Sequence, residues 1–272
     1  MSIQLGMVGG GVMGEALLSR LIAQSLYRPD QVLVSDPSSA RRDALVEKYG
    51  VQVTSDNRAA AAASDVLLLA IKPQMFEAVA TNLAIDSDQP IGKPLPVVIS
   101  ILAGVSLSQL EAAFGRQPVI RAMPNTPATV GAGITALAAG KAVTPHQMAQ
   151  ARGIFQAVGE VVEVPESLMD AVTGLSGSGP AYVAIMIEAL ADGGVAAGLP
   201  RAIASQLALA TVLGTAQLLH KSELHPAELK DRVTSPGGTT IAGISHLERV
   251  GFRSALIEAV QAAARRSQEL GH

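Results

Sequence analysis

One segment near the far end of the chain has the composition of an anion-binding helix start. Residues 233–240 combine small hydroxyl side chains with two adjacent glycines and contain no bulky side chain. The start of a helix exposes backbone N–H groups that have no partner within the helix, and such groups bind anions. The segment holds no arginine or lysine to neutralise a phosphate dianion, which favours a monoanionic carboxylate. We therefore predict a carboxylate site for a small substrate here, centred on Thr240.

A second motif lies at the N-terminal end and indicates a dinucleotide site. Residues 9–14 match G-x-G-x-x-G, directly after an apolar strand at 3–8 and at the start of a predicted helix at 11–25. The first glycine permits a tight turn, the second lets the backbone approach a pyrophosphate, and the third allows close packing of helix on strand. The alternative is a purely structural glycine turn. The flanking strand and helix, with an acidic residue at the next strand end, favour dinucleotide binding.

The residues after the second predicted strand bear on which dinucleotide is bound. Asp36 lies about 20 residues past the glycine motif, where a carboxylate can hold the adenosine ribose and repel a 2′-phosphate, which favours NADH. Ser38, Ser39, Arg41 and Arg42 follow, and hydroxyls with a guanidinium suit the 2′-phosphate of NADPH. In the alternative interpretation, Asp36 caps the next helix and the arginines form a solvated face. The cofactor is therefore NADPH or NADH, and the sequence is compatible with use of both.

Two further loops follow predicted strand ends, where ligands bind in sheets of this kind. Lys72 either contacts cofactor or substrate or is a surface lysine, since Pro73 after it suits the first position of a helix. Asn125 and Thr126 lie between two prolines, and rigid polar loops at this edge are often functional. We therefore include Lys72, Pro73 and Asn125 in the predicted cofactor site.

The hydroxyl of Thr173 and the polar loop before Pro226 are further candidates. Thr173 lies at a predicted helix end, where it either hydrogen-bonds a substrate or simply packs. Glu223 and His225 either belong to the site or cap the following helix. Residues 176–180 match neither the G-x-S-x-G nucleophile elbow nor a P-loop. Their small side chains would instead let a flat ligand or another helix approach the backbone.

Composition excludes several classes of chemistry. The chain has 272 residues, 49% of them apolar, and no cysteine, which excludes disulfides, thiolate metal sites and cysteine catalysis. Its five histidines show no metal-binding spacing with one another or with a glutamate. A net charge of −3 with scattered basic residues gives no electrostatic footprint for nucleic acid or an anionic membrane. Residues 1–4 do not resemble a signal peptide, so we expect a cytoplasmic protein with a small-molecule partner.

Alternating strands and helices predict an α/β domain over residues 1–163. The strand candidates are continuous apolar runs separated by helical patterns, which is typical of a parallel sheet covered on both faces. This doubly wound, Rossmann arrangement places the strand-end loops described above along one edge of the sheet. The predicted strands are 3–8, 32–35, 66–71, 97–101, 119–122, 133–138 and 161–164.

Residues 164–272 are predicted to form a second, all-helical domain. The helical patterns at 179–197 and 201–220 are apolar on more than one face, so we expect a second subunit to cover them. Glu188, Asp192 and several glycines interrupt the apolar runs, which leaves them short of the roughly 18 consecutive residues of a membrane span. The remaining predicted helices are 166–175, 227–233, 239–250 and 252–270.

Taken together, these motifs resemble the pyrroline-5-carboxylate reductase family, whose members reduce the cyclic imine 1-pyrroline-5-carboxylate to L-proline with NAD(P)H. The resemblance spans the whole chain and is most specific in the C-terminal half. Asp36 stands where many members have Ser or Thr near the adenosine ribose, which argues against a strict NADPH preference. The matching segments are VTGLSGSGPAY at 172–182, ADGG at 191–194, GLPR at 198–201, HP at 225–226, LKD at 229–231, VTSPGGTT at 233–240, the glycine motif, IKP at 71–73 and NTP at 125–127.

The resemblance implies a role for each part of the site. It implies that Thr173 is the catalytic residue and hydrogen-bonds the ring nitrogen, and that the 235–240 loop holds the carboxylate. It also implies a helical domain interleaved with that of a partner, in homodimers that assemble into larger rings such as decamers. The implied substrate-binding residues are Glu223, Ser235, Gly237, Gly238, Thr239 and Thr240. The cofactor-binding residues that we predict are Gly9, Gly11, Val12, Met13, Gly14, Asp36, Asn57, Ala70, Lys72, Pro73 and Asn125.

The implied chemistry agrees with the side chains present. Hydride goes from nicotinamide C4 to the C=N carbon, and a protonated imine is already electrophilic, so positioning does most of the catalysis. No strong acid, metal or covalent nucleophile is required. The nearest alternative, a β-hydroxyacid dehydrogenase, uses a lysine of its second domain, and no lysine occurs from residue 142 to 220. A non-catalytic dinucleotide sensor would explain residues 9–14 but not the second anion site.

Overall fold

The computed structural model describes residues 2–83 and 95–271, and it divides into two compact units. The first, which we call the sheet unit, contains the residues up to Gly177 together with those from Ala262 onward. The second, the helical unit, runs from Ser178 to Gln261. The predicted boundary between residues 163 and 164 follows the change from strands to helices. The compact units instead divide the chain at Gly177 and return the end of the chain to the sheet unit.

Packing explains why the end of the chain belongs to the sheet unit. Ser267 is buried, and its hydroxyl donates a hydrogen bond of 2.6 Å to the carboxylate of Asp170. Leu270 lies beside Gly104, so that a Cβ on that glycine would be 3.5 Å from the Leu270 backbone. A change in secondary structure along the chain does not report such long-range contacts.

The described residues of the sheet unit form one eight-stranded sheet. Its strands are β1 (Leu5–Val8), β2 (Val32–Ser35), β3 (Gln52–Thr54), β4 (Val66–Leu69), β5 (Val97–Ser100), β6 (Val119–Met123), β7 (Gly133–Ala139) and β8 (Gly159–Glu163). The spatial order is β3-β2-β1-β4-β5-β6-β7-β8, and every pair is parallel except β6 with β7. The prediction of a Rossmann sheet is confirmed.

Two details of the sheet depart from a uniformly parallel arrangement of the predicted strands. The edge strand β3 has only three residues, Gln-Val-Thr, and none of them is fully buried. It contains no apolar run, so the sequence did not predict it. Strands β7 and β8 run opposite to the other six because β7 returns directly beside β6. Antiparallel edge strands of this kind are common on otherwise parallel sheets.

The order in which strands are added to the sheet reverses at the pair formed by β1 and β4. The first three strands build outward in one direction from β1, and β4 then pairs with the other side of β1. The carboxyl ends of these neighbouring strands diverge into loops on opposite faces, which opens a crevice where dinucleotides bind in such sheets. The glycine motif and residues 70–73 therefore border this crevice.

Helices cover both faces of the sheet and bury two apolar layers. One layer includes Leu17, Ile99 and Phe155, and the other includes Leu69 and Leu110. The helices of the sheet unit are α1 (Val12–Ala23), α2 (Ser39–Tyr49), α3 (Asn57–Ala61), α4 (Phe76–Leu83), α5 (Leu107–Phe114), α6 (Pro145–Gln156) and α7 (Met169–Val172), the last followed by a wide π-helical turn at Thr173–Gly177.

The helical unit is built from α8 (Gly179–Ala196), α9 (Arg201–Ser222), α10 (Pro226–Arg232), α11 (Thr239–Arg249) and the larger part of α12 (Phe252–Leu270). Helices α8 and α9 pack through a small alanine cluster of Ala191, Ala204 and Ala208. Most other apolar side chains on these two helices are exposed, among them Ile185, Leu190, Ile203, Leu207, Leu209 and Leu213. The alanine contact thus leaves much of both helices uncovered within the helical unit.

Helix α9 bears on the prediction about membrane spans. Among the described residues it is the one helix long and apolar enough to cross a membrane by length and composition, with 22 residues and a mean hydropathy of 1.5. The interruptions at Glu188 and Asp192 fall on α8, whereas α9 carries only uncharged polar residues between Arg201 and His220, with Lys221 near its end. The prediction concerned unbroken apolar runs, and Gln206, Thr211 and Gln217 still interrupt the apolar run of α9.

Candidate active site

The glycine motif forms the turn from β1 into α1, and packing explains two of its glycines. Gly9 has a φ of +100°, and a Cβ at this position would lie 2.5 Å from the carbonyl oxygen of Ala70. A Cβ on Gly14 would lie 2.6 Å from the carbonyl oxygen of Gly9. Both contacts are far too close for a side chain, so the turn packs against the end of β4 only when these residues are glycines.

Gly11 differs from these two glycines because nothing in the described protein crowds it. No heavy atom lies within 4 Å of the place where its Cβ would be. Gly11 is the N-cap of α1, and no side chain in the described residues caps the first N–H groups of the helix. The next residue, Val12, is 77% exposed. An open, uncapped helix start of this kind fits the pyrophosphate of a dinucleotide.

Asp36 follows β2 and is bound to the glycine loop. Its Oδ2 accepts a hydrogen bond of 2.9 Å from the Gly10 N–H, and its Oδ1 accepts one of 2.9 Å from the Ser38 N–H. The N-cap of α2 is Ser38, which accepts from the Arg41 N–H, so the alternative in which Asp36 caps this helix is wrong. The nearby Asn57 Oδ1 accepts a hydrogen bond of 2.6 Å from the Ser35 hydroxyl. These contacts place Asp36 beside the turn that carries Gly11, and Asn57 beside the end of β2.

A charged network that the sequence did not reveal holds Arg41 against the same turn. The Arg41 guanidinium donates to the Gly10 carbonyl and pairs with Glu15, which also accepts from Lys48 at 2.9 Å and from Tyr49 at 2.8 Å. The hydrogen bonds from Lys48 and Arg41 lower the pKa of the Glu15 carboxyl to about 2, so it stays ionised at neutral pH. A glutamate in the first turn of α1 was the available signal, but its partners lie on another helix.

The loop after β4 is partly as predicted. Pro73 opens a short 3₁₀ turn, Pro73–Met75, and Lys72 stands at its N-cap with an exposed side chain. The Ala70 N–H donates to the Val8 carbonyl at 2.8 Å, which ties this loop to the end of β1. Both interpretations of Lys72 remain compatible with this position at the crevice.

Both polar atoms of the Asn125 side chain form hydrogen bonds with backbone groups. Its Nδ2 donates to the carbonyl oxygen of Ser176 at 3.1 Å, and its Oδ1 accepts from the Ile134 N–H at 3.0 Å. Asn125 stands at the start of a 3₁₀ turn, Thr126–Val130, but its side chain does not cap that turn. The amide therefore ties the end of β6 to the start of β7 and to the π-helical turn.

Thr173 is the first residue of the π-helical turn at Thr173–Gly177. Its Oγ1 donates a hydrogen bond of 2.9 Å to the Met169 carbonyl, one turn earlier. A hydroxyl has one hydrogen but two lone pairs, so this oxygen retains acceptor capacity. The sequence predicted a break between two helices here, whereas the chain continues through a widened turn, a feature that often occurs at functional sites.

The 233–240 loop leads into α11, which also begins without a side-chain cap among the described residues. Its N-cap is Gly238, and Gly237 before it has a φ of +66°. A Cβ on Gly238 would lie 2.3 Å from the Ser235 hydroxyl, so that hydroxyl lies directly over the helix start. The nearest cations in sequence are paired: Lys230 with Asp231 at 2.6 Å, and Arg232 with Glu228 at 2.7 Å. The positive character of the loop therefore comes from backbone N–H groups.

The two candidate residues between α9 and α10 have different roles. His225 is the N-cap of α10, because its Nδ1 accepts from the Ala227 N–H at 3.2 Å, as the capping interpretation predicts. Glu223 does not cap α10. It ends α9 with a φ of +54°, a left-handed conformation that is uncommon for a residue other than glycine, asparagine or aspartate. Such strained positions often mark functional sites.

The structure groups the predicted site residues into two sets, one in each unit. The sheet unit brings together the cofactor candidates at the carboxyl ends of β1, β2 and β4, and it also holds Asn125 and Thr173. The helical unit holds Glu223 and the 235–240 loop. Within residues 2–83 and 95–271, no group of three or more His, Cys, Asp or Glu side chains is placed to hold a metal ion.

Two family models match different parts of the chain. Residues 166–270 match the model described as pyrroline-5-carboxylate reductase dimerisation. Residues 4–104 match the one described as NADP oxidoreductase, coenzyme F420-dependent. The first match covers the helices that follow β8, and the second covers the glycine motif and the first five strands.

Individual relatives match the chain along its whole length. A pyrroline-5-carboxylate reductase of Synechocystis is 64% identical over 271 residues, which is 100% of this chain and 99% of that protein. A solved pyrroline-5-carboxylate reductase of Coxiella burnetii is 37% identical with a TM-score of 0.90, and 100% of each chain is covered. The Plasmodium falciparum enzyme, solved with NADP bound, is 31% identical with a TM-score of 0.87 over 99% of this chain and 98% of that one.

Proposed function

The chain belongs to the pyrroline-5-carboxylate reductase family, and we propose how its described residues perform the reaction of that family. It is an NAD(P)H-dependent oxidoreductase that reduces 1-pyrroline-5-carboxylate to L-proline, the final step of proline biosynthesis. The observation that carries this conclusion is the 64% identity to a named reductase over the full length of both proteins. Bound NAD(P)H supplies the hydride, and the protein must bind and orient the two reactants.

We propose that the cofactor lies along the carboxyl ends of β1, β2 and β4. The uncapped start of α1 at Gly11, with Val12 and Met13, binds the pyrophosphate through backbone N–H groups. Asp36 and Asn57 lie at the adenosine end, and residues 70–73 continue the crevice from β4. The open space at Gly11 supports this arrangement, because the loop has room for a ligand where its neighbours Gly9 and Gly14 have none.

The 235–240 loop binds the substrate carboxylate in this proposal. Ser235 and Thr240 contribute hydroxyls, and the first turn of α11 contributes N–H groups that no side chain in the described residues caps. The paired state of Lys230 and Arg232 supports a guest with a single negative charge. Glu223, held in its left-handed turn, supports the site from the loop before α10.

Thr173 contacts the ring nitrogen of the substrate. Its hydroxyl hydrogen is directed to the Met169 carbonyl, so its oxygen is free to accept a hydrogen bond from a protonated ring nitrogen. Acceptance of that N–H selects the protonated imine, which is the more electrophilic form. In this role Thr173 orients the substrate, and no side chain has to transfer a proton before the hydride arrives.

The protein acts as a homo-oligomer, and the helical unit supplies the contact surface. The dimerisation model covers α8 to α12, and the exposed apolar side chains of α8 and α9 are of the kind that a partner subunit buries. We propose a homodimer built through these helices and assembled into a larger ring such as a decamer. The absence of cysteine is compatible with a reducing compartment, and we propose that the protein is cytoplasmic.

A steady-state assay tests the activity. Purified protein should oxidise both NADPH and NADH when 1-pyrroline-5-carboxylate is added, and proline should accumulate in equal amount. Omission of the imine should abolish nucleotide oxidation. If neither nucleotide is consumed in the presence of the imine, the proposed function is wrong.

A further inference from the structure

We propose that Asn125 is a positioning residue, whose amide fixes the π-helical turn that presents Thr173 to the substrate. The inference rests on the proposed role of Thr173. It assigns Asn125 a different role from that of a cofactor ligand, because both ends of its side chain are already bound to backbone groups of the sheet unit.

The first step concerns the carbonyl group of Ser176. In a regular α-helix this oxygen would accept from the N–H four residues later, but that residue is Pro180, which has no N–H. The N–H five residues later belongs to Ala181 and donates instead to Ser178 at 3.0 Å. The Ser176 carbonyl therefore lacks the donor that an α-helical turn would offer it and the one that a π-helical turn would offer it. The Nδ2 of Asn125 supplies a donor at 3.1 Å.

The second step concerns the other end of the amide. Asn125 Oδ1 accepts from the Ile134 N–H, at the beginning of β7, at 3.0 Å. One partner can only accept and the other can only donate, so the orientation of the amide is fixed. An aspartate could serve the Ile134 N–H but not the Ser176 carbonyl, and an aliphatic residue could serve neither. The geometry therefore requires an amide at this position.

The third step is the rigidity of the support. Asn125 lies between Pro124, which is buried, and Pro127, two residues after the end of the interior strand β6. Thr173 belongs to the same π-helical turn as Ser176, three residues earlier. A hydrogen bond from the end of β6 to this turn therefore fixes the position of Thr173 relative to the sheet. The cofactor is proposed to bind at the edge of the same sheet. Misplacement of a substrate contact by about 1 Å can lower a rate about 100-fold.

The experiment compares variants in single-turnover nucleotide oxidation, after wild-type protein has been shown to turn over the imine. Asn125→Asp retains the acceptor for Ile134 and loses the donor for Ser176. We expect its rate to fall about 10-fold to 100-fold, with the NADPH dissociation constant within about twofold of wild type. Thr129→Ala is the matched control, because among the described residues the exposed Thr129 hydroxyl bonds only within its own 3₁₀ turn. Its rate should stay within about twofold of wild type.

Two further readouts separate positioning from general damage. The double variant Asn125→Asp/Thr173→Ala should be no slower than Thr173→Ala alone, because the group being positioned is already gone. The rate of Asn125→Asp relative to wild type should rise as the pH falls, because a protonated carboxyl regains a donor for Ser176. Thermal melting of each variant checks that it is folded, and Asn125→Ser serves if the aspartate variant is not.

Three results would overturn the proposal while wild-type turnover still supports the proposed function. The first is that the losses multiply in the double variant, the second is that Asn125→Asp weakens NADPH binding at an unchanged rate, and the third is that Thr173→Ala turns over at the wild-type rate. The first result would make the two residues independent, and the second would make Asn125 a cofactor ligand. The third would remove the role of Thr173 on which the inference rests.

Discussion

The starts of α1 and α11 are alike in one respect and opposite in another. Each helix begins at a glycine N-cap without a side-chain capping bond, whereas α2, α3, α5 and α6 are capped by Ser38, Asp56, Ser106 and Thr144. The turn before α1 is packed tightly at Gly9 and Gly14, against the end of β4 and against its own backbone, and is open at Gly11. The loop before α11 is mostly exposed within the helical unit and is shaped by its own residues.

This difference explains why the sequence identifies the ligand of one site more specifically than that of the other. The turn before α1 needs glycine at residues 9 and 14 for the fold itself, because any Cβ would meet backbone atoms at 2.5 to 2.6 Å. Such a requirement recurs wherever the same turn is built, and a short motif captures it. The loop before α11 has only local constraints, namely the left-handed Gly237 and the Ser235 hydroxyl over Gly238. Local constraints identify an anion site but do not identify the anion.

The largest expected effect concerns the start of α11. Thr240→Val removes one hydroxyl from the proposed carboxylate site and keeps the size and branching of the side chain. Loss of a hydrogen bond to a charged group is worth about 1.5–3 kcal/mol, so the KM for 1-pyrroline-5-carboxylate should rise roughly 10-fold to 100-fold. The KM for NADPH, measured in the same assay, should stay within about twofold of wild type.

Thr240→Ser is the control for this prediction. It keeps the hydroxyl, so its substrate KM should remain close to that of wild type. An unchanged substrate KM in Thr240→Val would show that the carboxylate binds elsewhere, and the likeness between the two helix starts would then have no functional meaning.

The next effect separates two glycines within the turn before α1. Gly11→Ala places a methyl group in open space, so the free energy of unfolding should fall by less than about 1 kcal/mol. The same methyl group occupies the space proposed for the pyrophosphate, so the KM for NADPH should rise about tenfold. Gly14→Ala places a methyl group 2.6 Å from the Gly9 carbonyl oxygen and should lower unfolding free energy by about 1–3 kcal/mol. Denaturant unfolding and initial rates measure the two quantities. Equal losses of stability would contradict the distinction between a packing glycine and a ligand-facing one.

The smallest expected effect concerns the charge beside the same turn. Asp36→Ser removes a carboxylate that would repel a 2′-phosphate, so the ratio of kcat/KM for NADPH over NADH should rise about fivefold, equivalent to about 1 kcal/mol. Because Asp36 also accepts from the Gly10 N–H, Asp36→Asn is the control that removes the charge and keeps an acceptor. A ratio unaltered in both variants would mean that Asp36 serves only to hold the glycine loop.

The sequence predicted most of the sheet because buried parallel strands are continuous apolar runs. It did not predict β3, whose Gln52 and Thr54 are polar and whose edge position needs no apolar run. It placed Gly11, Asp36 and Ala70 at strand ends that the structure brings together. It could not predict the ion pair of Arg41 with Glu15 or the two hydrogen bonds of the Asn125 amide, because each depends on residues far apart in the chain. The strained turn at Glu223 has no sequence signature either.

One missing hydrogen atom, on the backbone nitrogen of Pro180, constrains a residue in a distant part of the sequence. The amide of Asn125 donates to the Ser176 carbonyl in place of the N–H that Pro180 lacks. In evolutionary terms the two positions are therefore coupled. A lineage that replaced Pro180 by a residue with an N–H would restore the helical donor and relax the requirement for an amide at 125, whereas loss of Asn125 first would leave a carbonyl without a donor. The order of the two changes therefore decides whether the Ser176 carbonyl keeps a protein donor throughout.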